Sequence, residues 1–332
     1  MVLGFGLIGC GAMGRELGEA ITAGIAEARL VAAFDPYRPN MERLCADLGA
    51  QPEDSLENLL GRPDVGSVIV ASPNHLHRDQ ALAAAAAGKH VFCEKPMALS
   101  VAHCDDMIAA CDRAGVRLMV GHSMRLYPLP KRLLEIAAGG ELGAPRFAFA
   151  SYFFSGFKER DSGIWHLDRA NSGGLFFHMG IHHIDLLNAI MGQAQRVQYA
   201  GGQYGEQVHD FDDVASVTIE YDSGAIGLLT TSSISPLSWR EFAFLFEQGF
   251  ARLDSPHTYL DYGPADSQMT RLEPKDLPPA NAVATELRSF ARWVLYDEPP
   301  VFTAKEGRAA VAVAEAAHRA EETGNAVTIA PL

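Results

Sequence analysis

The chain is poor in the features that would mark it for a membrane, an oxidising compartment or a nucleic acid. Its 332 residues contain no run of about eighteen consecutive apolar residues, the length read as a membrane-spanning helix. Its first residues show no basic segment followed by a hydrophobic core and a small-residue cleavage site, so a soluble cytoplasmic protein is expected. Cysteine is scarce. The five, Cys10, Cys45, Cys93, Cys104 and Cys111, form no C-x-x-C pair and no even set, which leaves reduced, buried thiols as the expectation. Basic charge is in deficit: 27 Lys and Arg against 41 Asp and Glu give a formal charge of -14, which repels DNA phosphates and anionic lipid. No nucleic-acid or membrane partner is expected. There is no internal repeat, low-complexity tract or long linker.

What is present begins at once. The apolar run Val2 to Ile8 passes directly into Gly9-Cys10-Gly11-Ala12-Met13-Gly14, a G-x-G-x-x-G string between a strand pattern and a helical one. In a dinucleotide site Gly9 permits the tight turn, Gly11 lets the backbone approach a pyrophosphate, and Gly14 lets the helix lie close to the strand. The amides around Ala12 and Met13, at the helix start, then face the phosphates. A second apolar strand, Arg29 to Phe34, ends at Asp35, about the twenty-residue interval at which an acid reaches a ribose diol. A carboxylate there accepts from ribose hydroxyls and repels a 2'-phosphate, so NAD is the preferred cofactor. Arg38, near enough to meet that phosphate, keeps NADP open. A turn cap before Pro36 is the structural alternative for Asp35.

Through residue 122, apolar segments (Ser67 to Ala71, His90 to Cys93, Arg117 to Val120) alternate with helical ones (Ala81 to Ala87, around Ser100 to Ala114). This alternation predicts parallel βαβ units, a doubly wound Rossmann sheet of the α/β class, over 1–122. The pattern changes near Gly121 to Arg125. Beyond it, Arg146 to Phe153, Val214 to Tyr221, Ala225 to Thr231, Phe242 to Phe246 and Phe250 to Leu253 read as strands of an open, mainly antiparallel sheet with one covered face. Two helices close the chain. One carries Leu287, Phe290 and Val294; the other opens with the capping-box pattern Thr303 to Glu306 and ends at Gly324. Both are placed in a second domain, 123–332, with packing back on the first domain left open.

Chemistry gathers where strands end. Ser72, Pro73, Asn74 and His77 follow one strand at its carboxyl end, where doubly wound sheets bind ligands, and are candidate contacts for the nicotinamide half; a helix cap with solvated histidines is the alternative. The next strand ends in Glu94-Lys95-Pro96. Lys95 is placed to donate to a substrate oxygen and relay a proton, its charge stabilised by Glu94 or its pKa lowered by burial, with a surface ion pair as the alternative. Further on, His178, His182 and Asp185 fall within roughly 60° of arc on a helix, flanked by Ile181, Ile184 and Leu186, with His183 pointing elsewhere. The His-x-x-x-His spacing also suits a metal, but the glutamate of an HExxH site is missing, and no metal is expected. Core histidines bonded to carbonyls are a further reading. Trp165, His166, Asp168 and Arg169, in a loop, are candidate cleft residues, with a packed surface loop as the alternative, while Arg125 at the domain junction suits an ion pair with Glu94 or another acid.

The run SPNHLHRDQALAAAAAGKHVFCEKPMALS resembles the glucose-fructose oxidoreductase, inositol dehydrogenase and rhizopine catabolism (Gfo/Idh/MocA) family, with its PN-x-x-H, helix, GKHV and EKP pattern. The resemblance spans nearly the whole chain. By it, Lys95 is similar to the family's catalytic lysine, and Arg125 is expected near the active cleft. The stretch Ser172 to Asp185 resembles the pattern GG-x-L-x-D-x-G-x-H-x-x-D, in which His182 and Asp185 match and His178 stands where the family commonly has aspartate. The resemblance implies that 1–122 binds NAD(P), with Glu94 and Lys95 beside the cofactor. It implies that 123–332 supplies substrate groups and an oligomer interface, as in a homodimer or homotetramer. The expected activity is hydride transfer between nicotinamide and a secondary alcohol or ketone of a sugar, inositol, polyol or related cyclic substrate. His182 would remove the hydroxyl proton while Lys95 polarises the oxygen, or Lys95 would itself accept the proton; His178 would bind a neighbouring hydroxyl or carboxylate, and Asp185 would orient His182 or stabilise its protonated form. Two alternatives stand: an NAD-dependent lyase or glycosidase with internally recycled hydride, and a non-catalytic dinucleotide-binding regulator.

Overall fold

Short strands rich in Val, Ile and Phe, each followed by a helix, build the first half of the computed structural model, which describes residues 1–156, 164–206, 208–255, 257–266 and 268–330. Strands β1 (Leu3–Ile8), β2 (Ala28–Phe34), β3 (Gln51–Pro52), β4 (Ser67–Val70), β5 (His90–Glu94) and β6 (Leu118–Gly121) alternate with helices α1 (Ala12–Thr22), α2 (Arg38–Leu48), α3 (Leu56–Gly61), α4 (His77–Ala86) and α5 (Val101–Ala114). The strands form one sheet, ordered β3-β2-β1-β4-β5-β6, with every pair parallel. The order reverses between β1 and β4, and at such a switch point the strand ends leave a crevice for a dinucleotide. All four residues of β4 are buried, as a strand covered on both faces requires.

The rest of the chain runs through α6 (Pro128–Gly139), β7 (Pro145–Ser155), α7 (Arg169–Ser172), α8 (Ile181–Met191), β8 (Ala194–Gly202), β9 (Val214–Tyr221), β10 (Ile226–Ser232), β11 (Ile234–Phe246), β12 (Gly249–Ser255), β13 (Leu260–Pro264), β14 (Thr270–Leu272), α9 (Ala282–Tyr296), α10 (Ala304–Thr323) and β15 (Val327–Thr328). A nine-stranded sheet results, ordered β14-β13-β12-β11-β7-β10-β9-β8-β15. It is antiparallel except where β10 runs parallel to β7. Its strands alternate: Ala148, Ala150 and Tyr152 of β7 and Phe242, Phe244 and Phe246 of β11 are buried on one face, which packs under α8. β11 begins eight residues before the predicted Phe242, because Pro236 and two serines interrupt its apolar pattern; the pairing with β7 breaks register between Ile234 and Trp239 there.

The chain divides into two compact units. The first holds Met1–Ser123, 164–165 and Asn281–Arg308; the second holds 124–156, His166–Ala280 and 309–330. Helix α9 follows the second sheet in sequence yet belongs to the first unit. Its buried stripe of Val283, Leu287, Phe290 and Ala291 decides this, with the Phe290 ring 6.0 Å from Phe5 and 5.8 Å from Phe92. All five cysteines are buried, and none forms a disulfide.

Candidate active site

In the first unit the glycine turn is built by steric necessity. Gly9 has a φ of +95°, and a Cβ there would lie 2.6 Å from the Ala71 carbonyl oxygen. A Cβ on Gly14 would lie 1.9 Å from the Gly9 carbonyl oxygen, so only glycine lets α1 pack this close. Gly11 differs: a Cβ there meets nothing within 4 Å. Gly11 is the N-cap of α1 and offers no side chain to the first-turn amides of Ala12, Met13 and Gly14. Those donors, with the positive end of the helix, form a cradle that a pyrophosphate fits. Asp35 closes the turn. Its carboxylate accepts from the backbone N–H of Cys10 at 2.6 Å and of Tyr37 at 2.8 Å, and each oxygen keeps a lone pair for a ribose hydroxyl. Asp35 is thus a turn cap as well as a candidate ligand. Burial and the Asp35 charge raise the Cys10 thiol pKa, which keeps it protonated and inert. Arg38 is exposed and engaged by Glu42 at 3.3 Å and Asp54 at 3.2 Å.

After β4, the Ser72 hydroxyl donates to Gln80 at 2.6 Å, and Pro73 leads into a 3-10 turn, Asn74–Leu76, in which Asn74 is buried. His77 departs from the expected cofactor contact. It is buried, with Nδ1 2.8 Å from the Pro96 carbonyl and Nε2 2.9 Å from the Ser72 carbonyl, and burial lowers its pKa. Each ring nitrogen faces one of these carbonyls, and the one that carries the proton ties the ring to either the loop after β4 or the Lys95–Pro96 segment after β5. Lys95 itself is half-buried and its peptide bond to Pro96 is cis. Glu94 is not the partner in a surface ion pair: it is buried, and Lys95 N–H donates to it at 3.2 Å. Burial pushes its carboxyl up to about 7, against the pull of the Lys95 charge and that hydrogen bond. Glu286 of α9 is buried near it and raised far above the usual carboxylate range by burial and by the charges of Glu94 and Glu16.

In the second unit, Gly173 and Gly174, both with positive φ, lead into one π-helical turn, Phe176–Gly180, that continues as α8. His178 lies in that turn, so the uniform 100° step assumed from sequence does not hold between it and His182; such turns recur at functional sites. His178 is buried, and its ring stacks on buried His166 with centroids 6.3 Å apart. His182 is half-buried, whereas His183 faces the sheet and stacks on Phe242. Ile181, Ile184 and Leu186 are fully buried. Asp185 takes a bidentate guanidinium: Arg125 Nε donates to it at 2.6 Å and Arg125 Nη2 to the other oxygen. The expected role of orienting His182 therefore meets a strong competitor. Trp165 is half-buried and counted with the first unit. Asp168 caps α7 through Ala170 N–H at 2.8 Å. Arg169 is committed to Glu321 of α10, beside a cavity of about 10 Å³, room for one water, that Tyr199, Asp212 and His318 also line.

Residues 3–122 match the oxidoreductase family with an NAD-binding Rossmann fold, and residues 131–252 match the GFO/IDH/MocA C-terminal domain. The chain belongs to the Gfo/Idh/MocA family. This member is an NAD(P)-dependent oxidoreductase. It is 32% identical over 259 residues to the 2,7-anhydro-N-acetylneuraminate hydratase of Mediterraneibacter gnavus, covering 76% of this chain and 67% of the relative. It is 27% identical to the myo-inositol 2-dehydrogenase of Thermotoga maritima over 98% of both chains. Among solved structures, GenD2 from gentamicin A biosynthesis in complex with NAD superposes with a TM-score of 0.86 at 25% identity, covering 99% of this chain and 97% of the other. Levoglucosan dehydrogenase in complex with NADH shares the fold, with a TM-score of 0.90 at 19% identity over all of both chains.

Among the described residues of this family member, no group of three or more His, Cys, Asp or Glu side chains is arranged to hold a metal ion. Among the same described residues, no helix is long and apolar enough to cross a membrane. Two features escaped the sequence reading. Glu286 was masked by the apolar stripe around it, and Arg240 by the broken pattern of β11, although the step of two from Phe246 through Phe244 and Phe242 leads to Arg240.

Proposed function

We propose that this oxidoreductase interconverts a secondary alcohol and a ketone on a sugar, inositol, polyol or related cyclic substrate, with NAD preferred to NADP. The observation that carries the reading is the position of Lys95 at the carboxyl end of β5, beside the switch point of a sheet whose glycine turn and Asp35 suit a dinucleotide. Gly9, Gly11, Ala12, Met13 and Gly14 would hold the pyrophosphate, Asp35 the ribose, and Ser72, Pro73, Asn74, Glu94 and Lys95 the nicotinamide half. His77 supports them through Ser72 or Pro96. When bound, the nicotinamide ring takes or returns the hydride. Lys95 polarises the substrate oxygen, and His182 removes the hydroxyl proton or restores it. Arg125 and Asp185 brace α8, while Trp165, His166 and His178 supply substrate contacts. We assign residues 1–122 to the cofactor and 123–332 to substrate and self-association, as a homodimer or homotetramer working in the cytoplasm.

A second reading is favoured by the hydratases of M. gnavus and Escherichia coli, 32% and 30% identical: hydride would be returned to the substrate within one cycle. One experiment separates the readings. Purified enzyme is given NAD and a panel of inositols and sugars, and NADH is followed beside substrate loss. Net NADH supports the dehydrogenase, and substrate loss without NADH supports the recycled hydride. Under either, Lys95→Met should lower kcat about 100- to 10,000-fold, the range for a positioned acid or base, with NAD affinity little changed. Undiminished turnover in that variant refutes the assignment.

A further inference from the structure

Alternation along β11 carries Phe246, Phe244 and Phe242 to the face of the second sheet that packs under α8, and the same alternation puts Arg240 there. Arg240 is half-buried. It pairs across the strands with Tyr152 of β7, and its guanidinium carbon stands 4.4 Å from the Tyr152 ring centroid. His183 closes the group, 4.7 Å from Phe242 and 4.9 Å from Tyr152, centroid to centroid. His257, which packs against Tyr127 at 5.4 Å, lies near enough to feel the Arg240 charge.

Among the described residues this guanidinium has no counter-ion: no carboxylate pairs with Arg240, and its buried Nε has no hydrogen-bond partner. The acids on adjoining strands are engaged elsewhere. Glu241, on the opposite face, accepts from Arg252 at 2.6 Å and from Trp239 Nε1 at 3.2 Å. Asp254 accepts from the N–H groups of Thr258 and Tyr259 at 2.7 and 2.8 Å. Both ring nitrogens of His183 and Nε2 of His257 also lack partners among the described residues. Burial and the Arg240 charge push His183 down to about 3, and burial pushes His257 down to about 4, so each is a neutral ring with one N–H to give at neutral pH. The cluster offers several donors, one positive charge and, among the described residues, no carboxylate to meet it, beside the helix that carries His182.

We propose that Arg240 binds the carboxylate of the substrate, which makes the alcohol a sugar acid or related hydroxy-carboxylate, an assignment that rests on the oxidoreductase reading above. A planar guanidinium matches a carboxylate in two parallel hydrogen bonds. A single cation flanked by neutral imidazoles balances a monoanion, whereas a phosphate dianion would leave net negative charge in a half-buried place.

The test uses the enzyme with NAD and matched pairs of substrates: D-glucuronate with D-glucose, and D-galacturonate with D-galactose. The ratio of kcat/KM for acid over neutral sugar should favour the acid in the wild type. It should fall about 10- to 100-fold in Arg240→Gln, as for loss of hydrogen bonds to a charged group, and recover in part in Arg240→Lys. An equal fall for both members of a pair overturns the proposal, since a purely structural role predicts that result. Calorimetry provides a readout that needs no turnover. D-glucuronate or D-galacturonate should bind the NAD-loaded wild type and bind Arg240→Gln at least about tenfold more weakly. No binding by either acid, or tighter binding of inorganic phosphate, overturns the subsite. Binding that depends on Arg240 without reduction of NAD by any sugar leaves the subsite standing and defeats the dehydrogenase reading instead.

Discussion

Asp185 shows how one residue is held by another far away in sequence. Its side chain is 1% exposed, and Arg125 supplies the charge that makes such burial tolerable. Arg125→Ala should therefore cost about 3–5 kcal/mol, the penalty for an unpaired buried charge, read from the urea midpoint at constant m-value. Glu94 makes a different demand. Its carboxyl rises from an ordinary 4.5 to about 7 in the folded chain, so the native state holds that proton more tightly than the unfolded one. Stability from this group is complete below 4.5 and drains away as pH climbs to about 7. Histidines 183, 257 and 318 titrate in the opposite sense, so the difference between variants is the useful measure. The melting temperature of Glu94→Gln relative to wild type should increase through that window and level off above it. A difference that is flat with pH would show that Glu94 is ionised throughout. Lys95 and Glu94 were visible as residues at a strand end, but the burial that sets the glutamate apart was not.

At the scale of elements, the glycine turn separates two duties that the G-x-G-x-x-G string presents as one. Gly14→Ala drives a methyl into the Gly9 carbonyl, so β1 and α1 must part; a loss of about 1–3 kcal/mol or more is expected from overpacking. Gly11→Ala has open space around it and should leave the melting temperature of the cofactor-free protein nearly unchanged. The same methyl stands where phosphate must approach, so NAD affinity should fall about tenfold or more, as when a charge-assisted hydrogen bond is lost. Differential scanning fluorimetry and cofactor titration on both variants read the two effects apart. A stable Gly14→Ala with normal affinity would mean that α1 does not lie as described. Helix α8 was legible from its period, and its buried isoleucines fall on the expected flanks. The π turn before it was not, because nothing local in Phe176 to Gly180 distinguishes a wider turn from an ordinary one.

For the whole molecule, the outward face of the second sheet carries the clearest prediction. Ile226 of β10, Phe147 of β7 and Leu245 of β11 are cross-strand neighbours, with Ile226 43% and Leu245 52% exposed. The next row, Leu228, Phe149 and Ala243, is apolar as well. A continuous apolar strip on an outward face is what a self-association surface presents. The double variant Phe147→Asp, Leu245→Glu should shift sedimentation from an oligomer to a monomer without changing circular dichroism. A wild type that sediments as a monomer would assign the strip another purpose. The charge of -14 weakens such association at low ionic strength, so the oligomer should tighten as salt screens the repulsion.

By itself the sequence determined what local rules control: a parallel sheet from apolar runs alternating with helices, a dinucleotide turn from three glycines, and a lysine at the ligand-binding edge. These follow from steric limits and periodicity within a few residues. The tertiary structure alone decided which polar groups meet. His77 was claimed by the Ser72 or Pro96 carbonyl, Asp185 by Arg125, and α9 by Phe5 and Phe92, while Arg240 was left facing two neutral histidines. Partners brought together across tens or hundreds of residues share no local pattern, so their pairing exists only once the chain has folded.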